Sequence, residues 1–369
     1  MASVKKRERD GKTTYLVRWR DEAGRQCKRS FTKKLGPGGA DAFCANVEHD
    51  LRAGTYVDLS AGKVTFAEYA EQWRLSQPHR PNTARRVKGD LNRHVYPAIG
   101  SRALTAVRPS EVQALVGRLS VRLKPTSVRI VFASLRAVFR AAVRDRLISY
   151  SPAKGIALPQ VHRSRVVPLA VEQVEALADA LPRRYRALVV AAAGLGLRPG
   201  EVFGLRVCDV DFLRKVVRVE QQNQPDAEGG AGGPLKTDSS YRRIPVPEVT
   251  LHALVAHLRE YPAGRDEYVF TNERGQPLDD NSFKHAWLLA RRRAALPRQV
   301  RLHDLRHFYA SVLIAAGRSV KEVSERLGHK NAAETLNTYS HLWPADDDGT
   351  RGAVDAAFGQ DREERRRGA

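Results

Sequence analysis

A chain of 369 residues has room for two or three domains, and with 42% hydrophobic and 28% charged residues it is neither disordered throughout nor a fibrous repeat. Lys and Arg number 63 against 41 Asp and Glu, a formal net charge of +22, so a polyanion is the expected partner and nucleic acid the first candidate. The longest strongly apolar run, Ala187 to Leu197, falls far short of the roughly 20 residues that span a bilayer, and the charged opening lacks a secretory signal, so no membrane contact and a cytoplasmic, nucleoid-associated location are expected.

Residues 1–60 read as a small unit of their own. Tyr15 to Arg20 alternates apolar and polar residues, Asp21-Glu22-Ala23-Gly24 supplies a turn, and a further strand is expected over Cys27 to Thr32. Ala40 to Ala53 has helical spacing, with Phe43, Val47 and Leu51 on one stripe and Gly54 as the stop. Arg18, Arg20 and Lys28 are the candidate DNA contacts of this unit.

From Val64 to Leu147 the pattern is wholly helical. It is clearest over Val128, Val131, Phe132, Leu135, Val138, Phe139 and Ala142, which predict one long amphipathic helix. Arg129, Arg136, Arg140 and Arg144 lie largely off that stripe, facing either a DNA backbone or water. Residues 61–160 hold 18 basic residues against 5 acidic, more than half of the chain's surplus. A phosphate-gripping domain over 61–159 is therefore expected, ending in a linker from Pro159 to Arg165.

The third segment, 160–369, mixes types. Helices are expected near 170–181, 185–197, 247–260, 283–296, 304–316 and 319–327, with strands at Val216–Val219 and Arg243–Val246 around a Gly-rich loop from Glu228 to Gly233. Cys27, Cys44 and Cys208 are too scattered for a disulfide framework or a zinc site, and are expected to be small buried hydrophobes. The charged tail from Asp346 is expected to fray on the surface.

Four places in this segment carry candidate chemistry. Gly194-Leu195-Gly196-Leu197-Arg198-Pro199-Gly200-Glu201 ends an apolar helix in Gly and puts an arginine at the end of an otherwise uncharged run, where alone it also fits a helix C-terminal charge. Lys236 opens a polar turn running to Arg242-Arg243-Ile244-Pro245, and alone it reads as one more solvated lysine. His303-Asp304-Leu305-Arg306-His307 starts a helix with His303 and Arg306 on one face. His303 and His307 are spaced for a metal, but Arg306 between them repels a cation and no Glu of the zinc-protease kind stands there. Leu327-Gly328-His329 is followed ten residues later by Tyr339, then Ser340-His341.

In this order and at these separations the four resemble the catalytic domain of the tyrosine recombinases, the phage-type integrases. The resemblance implies a multidomain protein, mainly α with small β-sheets. Its parts would be an N-terminal three-stranded sheet plus helix on arm-type DNA, a helical core-binding domain, and a mixed α+β catalytic domain. It makes Arg198 and Arg306 the phosphate-binding arginines, Lys236 the hairpin lysine and general acid, His303 and His329 the histidines, and Tyr339 the nucleophile, with Glu201 and Asp304 supporting. It implies a site-specific recombinase working through a 3′-phosphotyrosyl link without metal, ATP or other cofactor, integrating and excising a phage or mobile element. It further implies a homotetramer on DNA, helped by an excisionase and a DNA-bending host factor.

A phenol with pKa near 10 needs a proton acceptor, and His303 is the expected one. A helix around Val354, Ala357 and Phe358 is expected to pack on a neighbouring protomer. A type IB topoisomerase and a non-catalytic DNA-binding regulator are the competing readings. The first shares the covalent adduct; the second forms none.

Overall fold

The computed structural model describes residues 2–9, 12–21, 24–53, 56, 63–161, 165–223, 233–235, 238–343, 349–352 and 355–357. The chain divides into two compact units, Met1–His162 and Arg163–Ala369.

The first unit opens with an antiparallel sheet of β1 (Ser3–Arg9), β2 (Lys12–Arg20) and β3 (Gln26–Phe31), in the order β1-β2-β3. Asp21 Oδ1 fixes the β2–β3 turn by accepting from the Arg25 backbone N–H at 2.8 Å. One face packs on α1 (Ala40–Ala53), with Val17, Trp19 and Val47 buried and the Trp19 and Phe43 rings edge to face at 5.4 Å. In the register, Leu16 stands between Lys5 and Ser30, Arg18 between Ser3 and Lys28, Thr14 opposite Arg7 and Arg20 opposite Gln26. Strand alternation therefore collects Lys5, Arg7, Arg18, Arg20 and Lys28 on the other face. Lys5 and Arg7 were not anticipated, because only the pairing of β1 with β2 reveals their side.

The helical remainder of this unit comprises α2 (Phe66–Ser76), α3 (Pro81–Asp90), a π-helical turn over Leu91–Val95, α4 (Tyr96–Ile99), α5 (Pro109–Arg122) and α6 (Pro125–Arg144). Thr65 and Glu68 cap α2 reciprocally, and a proline in the first turn starts α3, α5 and α6. The predicted stripe of α6, from Val128 to Ala142, is buried, and Arg129, Arg136, Arg140 and Arg144 are exposed. Arg129 is partly committed, since its Nε–H donates to the Pro159 carbonyl at 2.9 Å. Arg144 lies 3.7 Å from Asp145.

The second unit contains α7 (Val171–Ala180), α8 (Arg183–Leu195), α9 (Pro199–Phe203), β4 (Val210–Asp211), β5 (Val216–Val219), β6 (Gln221–Gln222), β7 (Gly233–Pro234) and β8 (Arg242–Pro245). It continues with α10 (Glu248–Glu260), α11 (Asp280–Arg293), α12 (Asp304–Ala315), α13 (Val320–Leu327) and α14 (Ala332–Tyr339). β4, β5 and β8 form one antiparallel sheet with Val217 opposite Ile244, and β6 pairs with β7. Helix α8 buries Ala187, Leu188, Val189, Ala191, Ala192, Ala193 and Leu195 and packs against α7, α10 and α12, as its uncharged run after Arg186 requires.

Helix ends depart from expectation where caps decide. α8 stops at Leu195, two residues early, because Gly196 turns left-handed at φ +60°. α11 starts at Asp280, since Asp279 Oδ1 accepts from the Ser282 N–H at 2.7 Å. β8 begins one residue earlier than expected. Helix α14, only eight residues long, was not expected; Asn331 Oδ1 caps it by accepting from the Glu334 N–H at 3.1 Å. The three cysteines are free but only partly buried, which corrects the expectation of core residues. Most of the Gly-rich loop and most of the tail, including Val354 and Phe358, lie outside the described residues. Among the described residues no helix is long and apolar enough to cross a membrane.

Candidate active site

Two helix C-termini form the floor of the site, each ended by a left-handed glycine: Gly196 after α8 and Gly328 after α13, at φ +60° and +64°. A Cβ on Gly196 would lie 2.3 Å from Tyr309 Cδ1, and one on Gly328 would lie 3.0 Å from the Ser239 carbonyl oxygen. Only glycine fits at Gly196, on grounds of both space and conformation.

The carbonyls around these ends bind the arginines and lace distant segments together. Arg306, on the first turn of α12, donates through Nη1 to the Gly196 carbonyl at 2.8 Å and through Nη2 to the Leu327 carbonyl. Arg198, at the N-cap of α9, donates through Nη2 to the Gly328 carbonyl at 2.8 Å. Cations at helix C-termini are favoured there by the macrodipole as well as by the orphan carbonyls. Burial and the charge of Arg198 lower the pKa of Arg306, which is 1% exposed, yet a guanidinium stays charged at neutral pH.

Glu201 neutralises this cluster. It accepts from Arg198 Nη1 at 2.7 Å and from Arg242 Nη2 at 2.8 Å, and Arg242 also donates through Nε to the Arg326 carbonyl at 2.8 Å. Burial alone would raise the Glu201 pKa, but the charge and hydrogen bond of Arg242, then the charges of Arg198 and Arg306, hold it at about 2. A carboxyl depressed in this way adds stability that is complete above its unfolded pKa, near 4.5, and is lost as pH falls toward 2. The expected result for Glu201→Gln is a lower unfolding midpoint at neutral pH and a shallower fall between pH 4.5 and 2. Parallel melting-versus-pH curves for the two proteins would contradict this.

The imidazoles and the phenol line the other side. Tyr339, the last residue of α14, is 1% exposed, and its Oη lies 2.7 Å from His307 Nδ1. His303, the candidate acceptor from sequence, is not the partner of the phenol. Its ring stands edge-on to His307 at 4.9 Å, and His307 occupies the place beside Tyr339. The reason is helical phase: His307 lies one turn further along α12 and meets α14 there. His329 follows the Gly328 turn, with Nδ1 2.7 Å from Thr335 Oγ1 and its ring nearly parallel to that of Tyr339 at 6.5 Å.

Burial and the nearby cations keep these histidines neutral: His303 falls to about 4, through burial, His307 and the arginines, and His329 to about 3, through burial and the arginines. Burial raises Tyr339 to about 12 against the opposing charge of Arg306, so the resting phenol is protonated.

The structure thus brings together Arg198, Glu201, His303, Arg306, His329 and Tyr339, which are spread over some 140 residues of sequence. Asp304 stands at the edge, accepting from the Arg301 N–H at 2.7 Å. Lys236 lies outside the described residues. Arg242 and His307 were missed. Arg242 shares strand parity with the buried Ile244, a signal that was available. A depression of ≈ 400 Å³ lined by Ser239, Arg242, His329 and Lys330 opens beside the cluster. Among the described residues no group of three or more His, Cys, Asp or Glu is placed to hold a metal ion. Buried guanidiniums around a protonated phenol suit phosphoryl transfer, since they meet the charge that develops on phosphorus-bound oxygens.

Two family models match the chain: the phage integrase family over residues 168–345 and the phage integrase central domain over residues 66–157. The chain belongs to the phage integrase, or tyrosine recombinase, family. A putative prophage phiRv2 integrase of Mycobacterium tuberculosis is 29% identical over 304 residues, covering 81% of this chain and 76% of that one. The Tn1549 transposon integrase, solved with a circular intermediate DNA, has the same fold, with a TM-score of 0.67 and 23% identity over 79% of this chain and 99% of its own. A lambda integrase tetramer on a Holliday junction gives a TM-score of 0.59 and 16% identity over 89% and 96% of the two chains.

The expected fold class, mainly helical with small antiparallel sheets and an N-terminal three-stranded sheet, is borne out. As a tyrosine recombinase the chain is a site-specific DNA strand transferase of phage or transposon integration, and DNA is its substrate.

Proposed function

We propose that Tyr339 is the nucleophile of this recombinase, that Arg198 and Arg306 bind the scissile phosphate, and that His303 and His329 add hydrogen bonds to it. The observation that carries this reading is the convergence of both guanidiniums, the imidazoles and one phenol on the same pair of helix ends. A guanidinium has five N–H donors in a planar fork, so carbonyls on one edge leave capacity for phosphate oxygens on another. Lys236, on the approach to β8, protonates the leaving 5′-oxygen. The resulting 3′-phosphotyrosyl ester conserves the energy of the broken bond, so a second 5′-hydroxyl reseals it without external fuel. Because Tyr339 and Arg306 are each 1% exposed, DNA reaches them only after a local opening, and the depression beside His329 and Arg242 is where it starts.

In the first unit, residues 61–159 hold core-type DNA through Arg136, Arg140 and their exposed neighbours. The basic face of the N-terminal sheet holds arm-type DNA. Exchange between two duplexes needs four active sites, so the working form is a homotetramer on DNA. An excisionase and a DNA-bending host factor set its direction in the cytoplasm, on the nucleoid.

The decisive test uses a nicked duplex carrying the core site, selected from a random duplex pool by affinity for the protein. The expected product is a denaturation-resistant protein–DNA band whose peptide map places the DNA on Tyr339; no band, or DNA on another residue, removes the assignment. For the arm domain, replacing Lys5, Arg7, Arg18 and Lys28 by Ala should weaken arm-site binding. It should also flatten its salt dependence by about 0.9 in log–log slope for each phosphate that is no longer neutralised. An unchanged slope would move arm binding elsewhere.

A further inference from the structure

We propose that His307 is the proton acceptor of the nucleophile: its Nδ1 takes the proton of Tyr339 Oη as that oxygen attacks phosphorus, and the nearby charge of Asp304 favours the accepting tautomer. The inference rests on Tyr339 being the nucleophile. It assigns a catalytic role to a residue that the sequence motif leaves as the neighbour of Arg306.

Geometry supports it at three points. The Nδ1–Oη distance is 2.7 Å with the rings edge to face, 5.5 Å between centroids, and among the described hydrogen bonds the Tyr339 hydroxyl is joined to His307 alone. His307 Nε2 lies 3.9 Å from Asp304 Oδ1, too far for a direct hydrogen bond, so the carboxylate acts on the ring through its charge, which favours the proton on Nε2 and leaves the Nδ1 lone pair for the phenol. Asp304 is itself fixed, because its other oxygen accepts from the Arg301 backbone N–H at 2.7 Å. The phenol and imidazole thus form the nucleophile–base pair of covalent catalysis, with a carboxylate nearby that acts by charge.

The site holds two further imidazoles, but among the described hydrogen bonds neither reaches the phenol, and His303 instead stands edge-on to His307 at 4.9 Å. The groups facing His307 are Asp304, His303 and Arg306 on its own helix, Tyr339 from α14 and His329 from the turn after α13. His329 faces Thr335, and Arg306 accepts nothing. Burial lowers the His307 pKa, with Asp304 opposing, so the ring is neutral and able to accept at neutral pH.

The step balances. The O–H bond of Tyr339 breaks, a bond forms between Oη and phosphorus, the bond from phosphorus to the 5′-oxygen breaks, and that oxygen takes a proton from the general acid. On rejoining, the 5′-hydroxyl attacks, its proton returns to the acid, and His307 gives its proton back to the departing phenolate.

The test compares the full-length protein with His307→Asn and His307→Ala on the selected nicked duplex, made with either oxygen or sulfur at the bridging 5′ position of the scissile phosphate. Asparagine keeps a hydrogen-bonding atom near Nδ1 but cannot hold the proton. A thiolate leaves without protonation, so sulfur rescues a defective acid and not a missing acceptor.

The expected result is adduct formation slowed by ~10²-fold or more in His307→Asn on both duplexes. DNA affinity and unfolding midpoint should stay close to wild type, and free imidazole should partly restore His307→Ala. The wild-type rate should fall below the ordinary histidine range as His307 gains a proton, and that limb should be missing in His307→Asn. An Asn variant as fast as wild type, or faster because a resting latch is released, overturns the inference, as does full rescue by sulfur. An adduct formed by Tyr339→Phe would instead sink the nucleophile assignment.

Discussion

Tyr339→Phe is expected to abolish the denaturation-resistant adduct altogether while leaving the fold and DNA affinity near wild type. The ring is part of the core of the second unit, and phenylalanine preserves all of that packing. What is lost is one oxygen and its bond to His307 Nδ1, a change worth about 1 kcal/mol of stability. The chemical loss is total, because no rearrangement of arginines or histidines can replace the atom that becomes bonded to phosphorus. Strand cleavage on the selected nicked duplex, read on denaturing gels beside a binding titration, separates the two effects. Residual adduct would move the nucleophile to another hydroxyl, and Tyr309, which packs against Gly196, is the next to replace.

The contrast between Tyr339 and His307 shows what the sequence could reveal. Tyr339 is recognisable through its resemblance to the family motif that Arg198, Arg306 and His329 also match, a pattern that the order of motifs along the chain transmits. His307 is visible too, one position after Arg306, but helical spacing says only that it shares a face with His303. Which of the two meets the phenol depends on where α14 crosses α12, and α14 was not expected at all because eight residues whose only large apolar side chains are Leu336 and Tyr339 give little periodic signal. The same holds at Lys5 and Arg7, whose partnership with Arg18 and Lys28 exists only once two strand pairings set the register. Helix α6, by contrast, carries enough 3.6-residue repeats for its buried stripe and its arginine face to be read directly. Local period and motif order were legible; the long-range crossings that choose between neighbouring candidates were not.

Arg306→Ala and Arg306→Lys are expected to separate charge from geometry at the most deeply buried cation. Arg306→Ala should lose ~10²- to 10³-fold in adduct formation, the usual consequence of removing one donor to a developing oxyanion. It should also be destabilised, because the Gly196 and Leu327 carbonyls lose their donors, at roughly 1 to 3 kcal/mol for each buried group left unpaired. Lysine restores a positive charge beside Glu201 and so recovers part of the stability. A single ammonium, however, cannot span both helix ends and also present a planar fork to phosphate. Arg306→Lys should therefore melt closer to wild type than Arg306→Ala yet remain nearly as slow. Arg198 provides the control: its side chain is 31% exposed and shares Glu201 with Arg242, so Arg198→Ala should lose rate with a smaller loss of melting temperature. If Arg306→Lys reacts at the wild-type rate, a positive charge alone suffices at that position, and the two-pronged grip on the phosphate drawn here is wrong.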